Sequence, residues 1–292
     1  MKLEKSGSFV VNVPRIDYLT LTTYEQTAWQ FWKSALDGNQ ELEQDDDETQ
    51  IMQYMGYFWR NGTGNAYLGS GMQKRGMHIM LRISGDLAHQ MFGRVAKNPL
   101  KEMWGKVTRL DLQITVPMPD KWSQKRLHFR LTRAGKEPDT KSSQSGLNRR
   151  VLRTVYLGSR HSNRFHRVYE KQVDGGDIYL RYECEYSRQL ATKMAREILQ
   201  SPSIVSQYLL GELQAIGDDD LESVFAHNLI GQPSRETVKR VQSHDKTRRW
   251  LLENVLPAFT RHINDHSADG EVALAFGRAI GDALGGVRIR PE

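Results

Sequence analysis

Three segments between positions 107 and 186 alternate apolar and polar residues with a period of two, which fits a β-strand better than any other regular element. In Val107 to Val116, one face holds Thr108, Leu110, Leu112, Ile114 and Val116, and the other holds Arg109, Asp111, Gln113 and Thr115. In Arg164 to Lys171, Phe165, Arg167, Tyr169 and Lys171 share a side. In Ile178 to Tyr186, Ile178, Leu180, Tyr182 and Cys184 face a core while Tyr179, Arg181, Glu183 and Glu185 face away. Placed in one sheet, these strands collect Asp111, Glu183, Glu185, Tyr169, Arg167 and Lys171 on a single platform. Solvent-facing sheets also carry Arg–Glu cross-strand pairs for stability alone, so alternation by itself leaves both readings open.

The flanking sequence supplies the rest of an α+β core. Ile16 to Thr22 reads as a strand and Tyr24 to Leu36 as an amphipathic helix carrying Trp29, Phe31 and Trp32. Ile51 to Trp59 and Met77 to Ser84 read as strands separated by Gly-rich turns, and Asp86 to Val95 as a helix capped by Ser84 or Asp86. Asp120 to Thr132 has a mixed helical pattern, Ala134 to Asn148 reads as a loop, and Arg150 to Leu157 as a further strand. An Asp-Gly-Gly turn at Asp174 to Gly176 joins the last two strands. After Ser187 the period changes. Leu190–Leu199, Ile204–Leu213, Asp220–His227, Val238–Gln242, Arg248–Asn264 and Glu271–Leu284 read as helices. The expected division is therefore an α+β core over 1–187 and a helical C-terminal region over 188–292.

Charge is concentrated. Between Lys121 and Glu170 thirteen Lys or Arg stand against three acids, a window of +10 in a chain whose net charge is +6. The remainder is net acidic, partly through the run Glu41 to Glu48, which reads as a solvated loop or helix end. A basic window of this kind suits a phosphate backbone. The single Cys excludes an internal disulfide framework and a Cys-based zinc site, and points to a reducing compartment. No apolar run approaches the ~20 residues that span a bilayer, and Met1 to Arg15 lacks the apolar segment of a secretory signal. A cytoplasmic protein with no membrane partner is expected. No Gly-x4-Gly-Lys-Ser/Thr string is present, so no ATPase is expected.

The platform's side chains suggest a chemistry. Carboxylates without Cys or His partners suit a hard cation such as Mg²⁺ or Mn²⁺, which beside a phosphodiester would polarise it. A tyrosine phenol, poor as a nucleophile at its free pKa of ~10, becomes usable where Arg167, Lys171 and a metal-bound phosphate favour the phenolate.

Four strings then carry a resemblance. They are Thr108-Arg109-Leu110-Asp111-Leu112, Tyr156-Leu157-Gly158-Ser159-Arg160-His161-Ser162, Arg164-Phe165-His166-Arg167-Val168-Tyr169-Glu170-Lys171 and Leu180-Arg181-Tyr182-Glu183-Cys184-Glu185. In this order and spacing the chain resembles the replication initiation factor family (Rep_trans type) of rolling-circle plasmids and filamentous phages. Ile16-Asp17-Tyr18-Leu19-Thr20 is similar to the strand that opens that family's core. The resemblance covers about Ile16 to Arg188. It implies an origin-specific nickase and strand transferase built on an antiparallel-rich curved sheet with helices on one face. It implies Tyr169 as nucleophile, forming a 5′-phosphotyrosyl intermediate and a 3′-hydroxyl primer, with Arg167 and Lys171 beside it. Asp111 and Glu183 become metal ligands, with Glu185 close by and Asp17 available to complete the set. Double-stranded origin DNA with a locally unpaired nick site, a homodimer and a host helicase are the implied partners. The sequence departs from the family pattern at Thr115, where members often carry a second Asp, and at Tyr169-Glu170-Lys171-Gln172, where they often read Tyr-Asn-Lys-Lys.

Arg109, Arg149, Arg150, Arg160, Ser162, Arg164 and Arg181 are the candidate DNA contacts. His161 and His166 read as phosphate contacts or surface residues, and His262 with His266 as a surface pair. Tyr156 and Phe165 could stack on an unpaired base or belong to the core. Two other functions fit the same residues: a non-catalytic DNA-binding regulator, and a metal-dependent nuclease that uses water.

Overall fold

The computed structural model describes residues 12–119, 122, 124–133, 136, 139–144, 151–172 and 177–236. The strands are β1 (Arg15–Thr23), β2 (Glu43–Gln44), β3 (Thr49–Ile51), β4 (Tyr54–Asn61), β5 (Gly64–Gln73), β6 (Gly76–Gly85), β7 (Lys106–Pro117), β8 (Asp139–Gln144), β9 (Val151–Leu157), β10 (Arg164–Gln172) and β11 (Ile178–Ser187). The helices are α1 (Thr27–Asp37), α2 (Asp86–Ala96), α3 (Gln124–Arg133), α4 (Arg188–Gln200), α5 (Ile204–Ile216) and α6 (Asp219–Ala226). The strands form one sheet in the order β2-β4-β5-β6-β1-β7-β11-β10-β9-β8, with β3 also paired to β4. Every pairing is antiparallel. The α+β architecture is as the periodicity predicts, and the antiparallel sheet is as the resemblance implies.

Period-two alternation divides the sheet's faces. Leu19, Leu21, Leu110, Leu112, Ile114, Leu180, Tyr182 and Cys184 point to one side and join a single apolar cluster with residues of all six described helices. The opposite side of the central strands carries the polar residues. It too is closed: Asp111, Gln113, Thr115, Arg181 and Glu183 are buried.

One irregularity in β1 redirects side chains. Ile16 pairs with Leu112 and Tyr18 with Asp111, so Asp17 is the extra residue of a bulge. Alternation resumes one position late. Ile16 and Leu19 stay in the core, while Asp17 and Tyr18 both reach the polar side.

The Gly-rich stretch between the expected strands 51–59 and 77–84 is itself a strand, β5, paired on both sides. Its glycines are spacers for close approach. A Cβ on Gly69 would lie 2.5 Å from the Tyr67 hydroxyl, and one on Gly56 in the neighbouring strand 1.9 Å from the Leu68 carbonyl oxygen. Part of the expected loop 134–148 likewise forms β8. The residue preceding α2 is Gly85, at φ 73°, with no side-chain cap; Asp86 instead stands in the first turn and pairs with Arg15.

The switch from strand to helix falls at Ser187–Arg188 as expected, where Arg188 adopts φ 60°. It does not end a unit. Helices α4 to α6 pack on the same core, against β7 and β11, and the compact unit runs from Met1 to Val238. The boundary expected at 187/188 is corrected accordingly. The second unit, Lys239–Glu292, lies outside the described residues, as do the helices expected there, His262, His266 and the turn at Asp174 to Gly176.

Two glycine substitutions should move stability in opposite directions. Gly93 is exposed on α2 with open space at its Cβ position, so Gly93→Ala should stabilise by roughly 0.5–1 kcal/mol. Gly56→Ala must displace backbone in β5 and should cost about 1–3 kcal/mol. Urea midpoints of both variants against the parent protein check the pair; a neutral Gly56→Ala would contradict the β4–β5 register.

Candidate active site

Cross-strand register assembles the polar side. Arg167 faces Glu183, and Tyr169 faces Arg181, across β10–β11. Glu185 faces Asp111, Glu183 faces Gln113, and Arg181 faces Thr115 across β11–β7. The platform expected from alternation is therefore present, and the bulge adds Asp17.

Its side chains form one connected network. The Asp111 carboxylate takes a two-pronged contact from Arg109, Nε to Oδ1 at 2.9 Å and Nη2 to Oδ2 at 2.5 Å, and a third from Arg167 Nη2 at 2.7 Å. The same Arg167 nitrogen lies 2.9 Å from Glu183 Oε2. The Tyr169 hydroxyl donates to Glu183 Oε1. Arg109 reaches Glu185 at 3.0 Å. On the other flank Arg181 donates to the Thr115 hydroxyl at 2.9 Å and lies 3.4 Å from Asp17 and 3.7 Å from Glu183. Four carboxylates (Asp17, Asp111, Glu183, Glu185) thus face four cations (Arg109, Arg167, Arg181, Lys171), with Lys171 within electrostatic reach of Asp17 and Glu183.

Burial dominates the protonation equilibria. It holds the Tyr169 phenol well above its ordinary value, and the adjacent Glu183 charge adds to that despite Arg181. It pushes the Asp111 carboxyl up to about 6, against the pull of Arg109 and Arg167. Burial and then Glu183 raise Asp17, while burial and then Arg181 lower the Lys171 ammonium. A neutral phenol hydrogen-bonded to a carboxylate is a nucleophile whose proton acceptor is already in place.

The other expected contacts divide. Arg109 belongs to the network and stacks over Tyr18, its guanidinium carbon 4.1 Å from the ring centroid. Arg160 is exposed and lies over the stacked pair Tyr156 and Phe165, 5.3 Å from the Phe165 centroid. Arg181 is buried and acts by positioning Asp17, Glu183 and the Tyr169 ring, over which it lies. Ser162 uses its hydroxyl within its own loop, on the backbone of Arg164. Arg164 is not on the platform: it has the opposite strand parity to Arg167 and binds Glu212 of α5 at 2.6 Å. His166 has that same parity, and it is a buried residue rather than a surface one. Arg149 and Arg150 lie outside the described residues. Tyr18, held between Arg109 and Arg82, was not expected at the site. Alternation hides it, because only the bulge turns it outward from the core.

The polar side's donors are all carboxylates near the tyrosine, the chemistry that suits a hard divalent cation. The Arg167 guanidinium now fills the space between Asp111, Glu183 and Glu185. Among the described residues, the group with three ligand atoms within 4.8 Å of one another is His166, Cys184 and Glu212, on the helix side of the sheet. No described helix is long and apolar enough to cross a membrane.

No family model matches the chain, and no curated protein matches it. Among solved structures, DynU16, a protein of the dynemicin biosynthetic locus, aligns at 7% identity over 71% of this chain and 99% of its own, with a TM-score of 0.19. A Bacillus halodurans protein provisionally assigned as an adenylate cyclase aligns at 9% identity over 79% of this chain and 99% of its own, with a TM-score of 0.15. Likenesses this distant carry no argument about fold or function.

The raised Asp111 pKa has a stability consequence with a definite sign. A carboxyl whose folded pKa lies above its unfolded value contributes stability that is present below about pH 4 and lost as the pH rises through about 6. Relative to Asp111→Asn, the native protein should therefore lose on the order of 2–3 kcal/mol between about pH 4 and about pH 7. Denaturation midpoints of both proteins across that range measure it. A parallel pair of curves would mean that the two guanidiniums cancel burial, and a difference of opposite sign that they outweigh it.

Proposed function

We propose that this protein is a tyrosine-dependent DNA nicking and strand-transfer enzyme that starts rolling-circle replication. The observation that carries the reading is the Tyr169 hydroxyl bonded to Glu183, with Arg167 bridging Glu183 to Asp111. The sequence resemblance and the basic window supply the substrate class, DNA with an unpaired scissile step.

In this mechanism Glu183 accepts the phenolic proton as Tyr169 attacks phosphorus. The Tyr169 oxygen–phosphorus bond forms and the phosphorus–O3′ bond breaks. The departing 3′-oxygen takes up a proton, and the 5′ phosphate stays on Tyr169. Reversal of these steps with a new 3′-hydroxyl reseals the strand without a nucleotide cofactor, since the ester conserves the bond. Arg167, freed from bridging two acids, stabilises charge on the phosphoryl oxygens. Deprotonating a phenol at neutral pH costs at least about 4 kcal/mol from its ordinary pKa alone. Glu183 as an attached acceptor offsets part of that barrier.

Asp111, Glu183 and Glu185, with Asp17 at the margin, are the residues that would hold Mg²⁺ or Mn²⁺, which when bound polarises the phosphodiester. The grouping of four carboxylates beside the tyrosine supports this reading: a divalent ion held there would offset the repulsion between these acids and an incoming phosphate. A homodimer and a host helicase belong to the same proposal through the resemblance. The neutral network also favours a second reading, a scaffold that only stabilises the sheet of a DNA-binding regulator.

Supercoiled DNA bearing the cognate origin separates the two. The enzyme should nick it in the presence of a divalent cation and remain covalently attached, as gels run with and without protease reveal. Tyr169→Phe should bind the origin with little change and form no adduct; undiminished nicking by it would eliminate the assignment. Glu183→Gln should slow adduct formation by roughly 10²-fold or more, the scale of losing a general base. Chelation should stop nicking while binding persists. Salt-sensitive binding with neither nick nor adduct would leave the regulator.

A further inference from the structure

The far side of the tyrosine strand carries a second polar cluster that nicking leaves unused. His166 and Cys184 are cross-strand partners on β10 and β11, and Glu212 of α5 comes down beside them. Imidazole, thiol and carboxylate are donors for a borderline-soft divalent ion. The surrounding charge opposes one. Arg164 holds Glu212 Oε1 at 2.6 Å and Arg235 holds Oε2 at 3.1 Å. Burial, then Arg235 and Arg164, push the His166 imidazole down to about 4. Burial and Glu212 keep the Cys184 thiol well above its ordinary value. A cation would have to displace guanidinium from Glu212 and expel the Cys184 proton inside a cluster that already holds two positive charges against one negative.

That surplus borders a cavity of about 570 Å³, within the ~300–1,000 Å³ range of small-ligand sites. Lys136, Arg235, His166, Ser159, Gly158 and Ile216 are among its lining residues, and no acid lines it among the described residues. The C-terminal end of α5 contributes a partial negative charge, and Lys136 stands against it, its Nζ 3.2 Å from the Cβ position of Gly217. Arg235 engages Glu212 through Nε, which leaves its two terminal nitrogens without a hydrogen bond among the described residues. The terminal pair of a guanidinium is a geometry that phosphate oxygens accept. His166 Nδ1 is bonded to the Tyr182 hydroxyl at 3.0 Å, and the ring borders the cavity as a neutral, buried group.

We propose that this cavity binds a phosphate group, held by Arg235 and Lys136 beside the His166 ring. The site lies on the side of the sheet opposite Tyr169 and does not depend on the nicking reading. The phosphate can belong to a free mononucleotide or to a DNA backbone, and the test separates these.

Inorganic phosphate titrated against the full chain at fixed ionic strength, followed by ³¹P line width, should show saturable binding that chloride does not compete away. The Lys136→Gln/Arg235→Gln double variant should bind at least about tenfold more weakly, the scale of losing charge-assisted hydrogen bonds. Circular dichroism confirms that the variant folds, and Arg235→Lys should retain part of the affinity. Tyr169→Phe should bind phosphate as the parent does, so loss of nicking and loss of this site remain distinguishable. Displacement by thymidine monophosphate with unchanged oligothymidylate affinity in the double variant assigns a free nucleotide. Displacement by oligothymidylate, with weakened oligothymidylate binding in the double variant, assigns a DNA phosphate. Non-saturable binding, or equal affinity in the double variant, would overturn the proposal. So would a cobalt–thiolate absorption band on adding Co²⁺ that disappears in Cys184→Ser while phosphate leaves the protein unaffected.

Discussion

Arg167 is the interaction on which the polar side of the sheet depends. One of its terminal nitrogens touches both Asp111 and Glu183, and so joins β7, β11 and β10 through charge as well as through backbone pairing. Carboxylates buried behind a sheet are expensive to hold ionised, and their desolvation can exceed what the pairing returns. The network meets most of that cost by pairing: nearly every carboxylate oxygen pointing inward meets a guanidinium, a phenol or both, although Arg167 Nε is buried without a hydrogen-bond partner. Removing one partner would leave its neighbours buried and uncompensated, so the ensemble behaves as a unit rather than as separate salt bridges.

Pairing also explains the resting state. The Tyr169 phenol is neutral, its proton is already on a hydrogen bond to Glu183, and the four acids and four cations cancel. Such a site holds its phenol protonated and its charges paired. In the proposed nicking reaction, activation requires positive charge near Glu183 or a phosphate that draws Arg167 away. That requirement links geometry to chemistry more tightly than the presence of a tyrosine and some acids would.

Strand β10 serves both faces. Arg167, Tyr169 and Lys171 belong to the polar network, whereas Arg164 and His166 meet Glu212 on the helix side. A string rich in basic residues is therefore not a uniformly basic surface. Parity decides whether each Arg becomes a partner for a platform acid or a clamp on a helix. The same rule explains why Arg164 pairs with Glu212 rather than joining the platform: net charge along the chain carries no information about side.

Much of this was legible beforehand, and the exceptions have physical causes. Alternation in 109–116, 164–171 and 178–186 was enough to separate core from platform and to group Asp111, Tyr169, Glu183 and Glu185, because side-chain direction in a strand is local geometry; at the start of β7 a second register shift buries Val107 and leaves Thr108 exposed. The strand β5 was hidden because its glycines mark close contact, at Tyr67 over Gly69, and the same residue type marks turns. Tyr18 was hidden because a bulge at Asp17 changes parity, and bulges are set by pairing with β7. Nor could the sequence show that the helices after Ser187 complete the first core, or that Glu212 arrives between Arg164 and Arg235; both depend on packing between elements distant in the chain. What the amino-acid order determined by itself was which side chains share a strand face. The tertiary structure alone decided which strands adjoin, where parity slips, and which charges neutralise one another, since each of those is a relation between segments that no local pattern encodes.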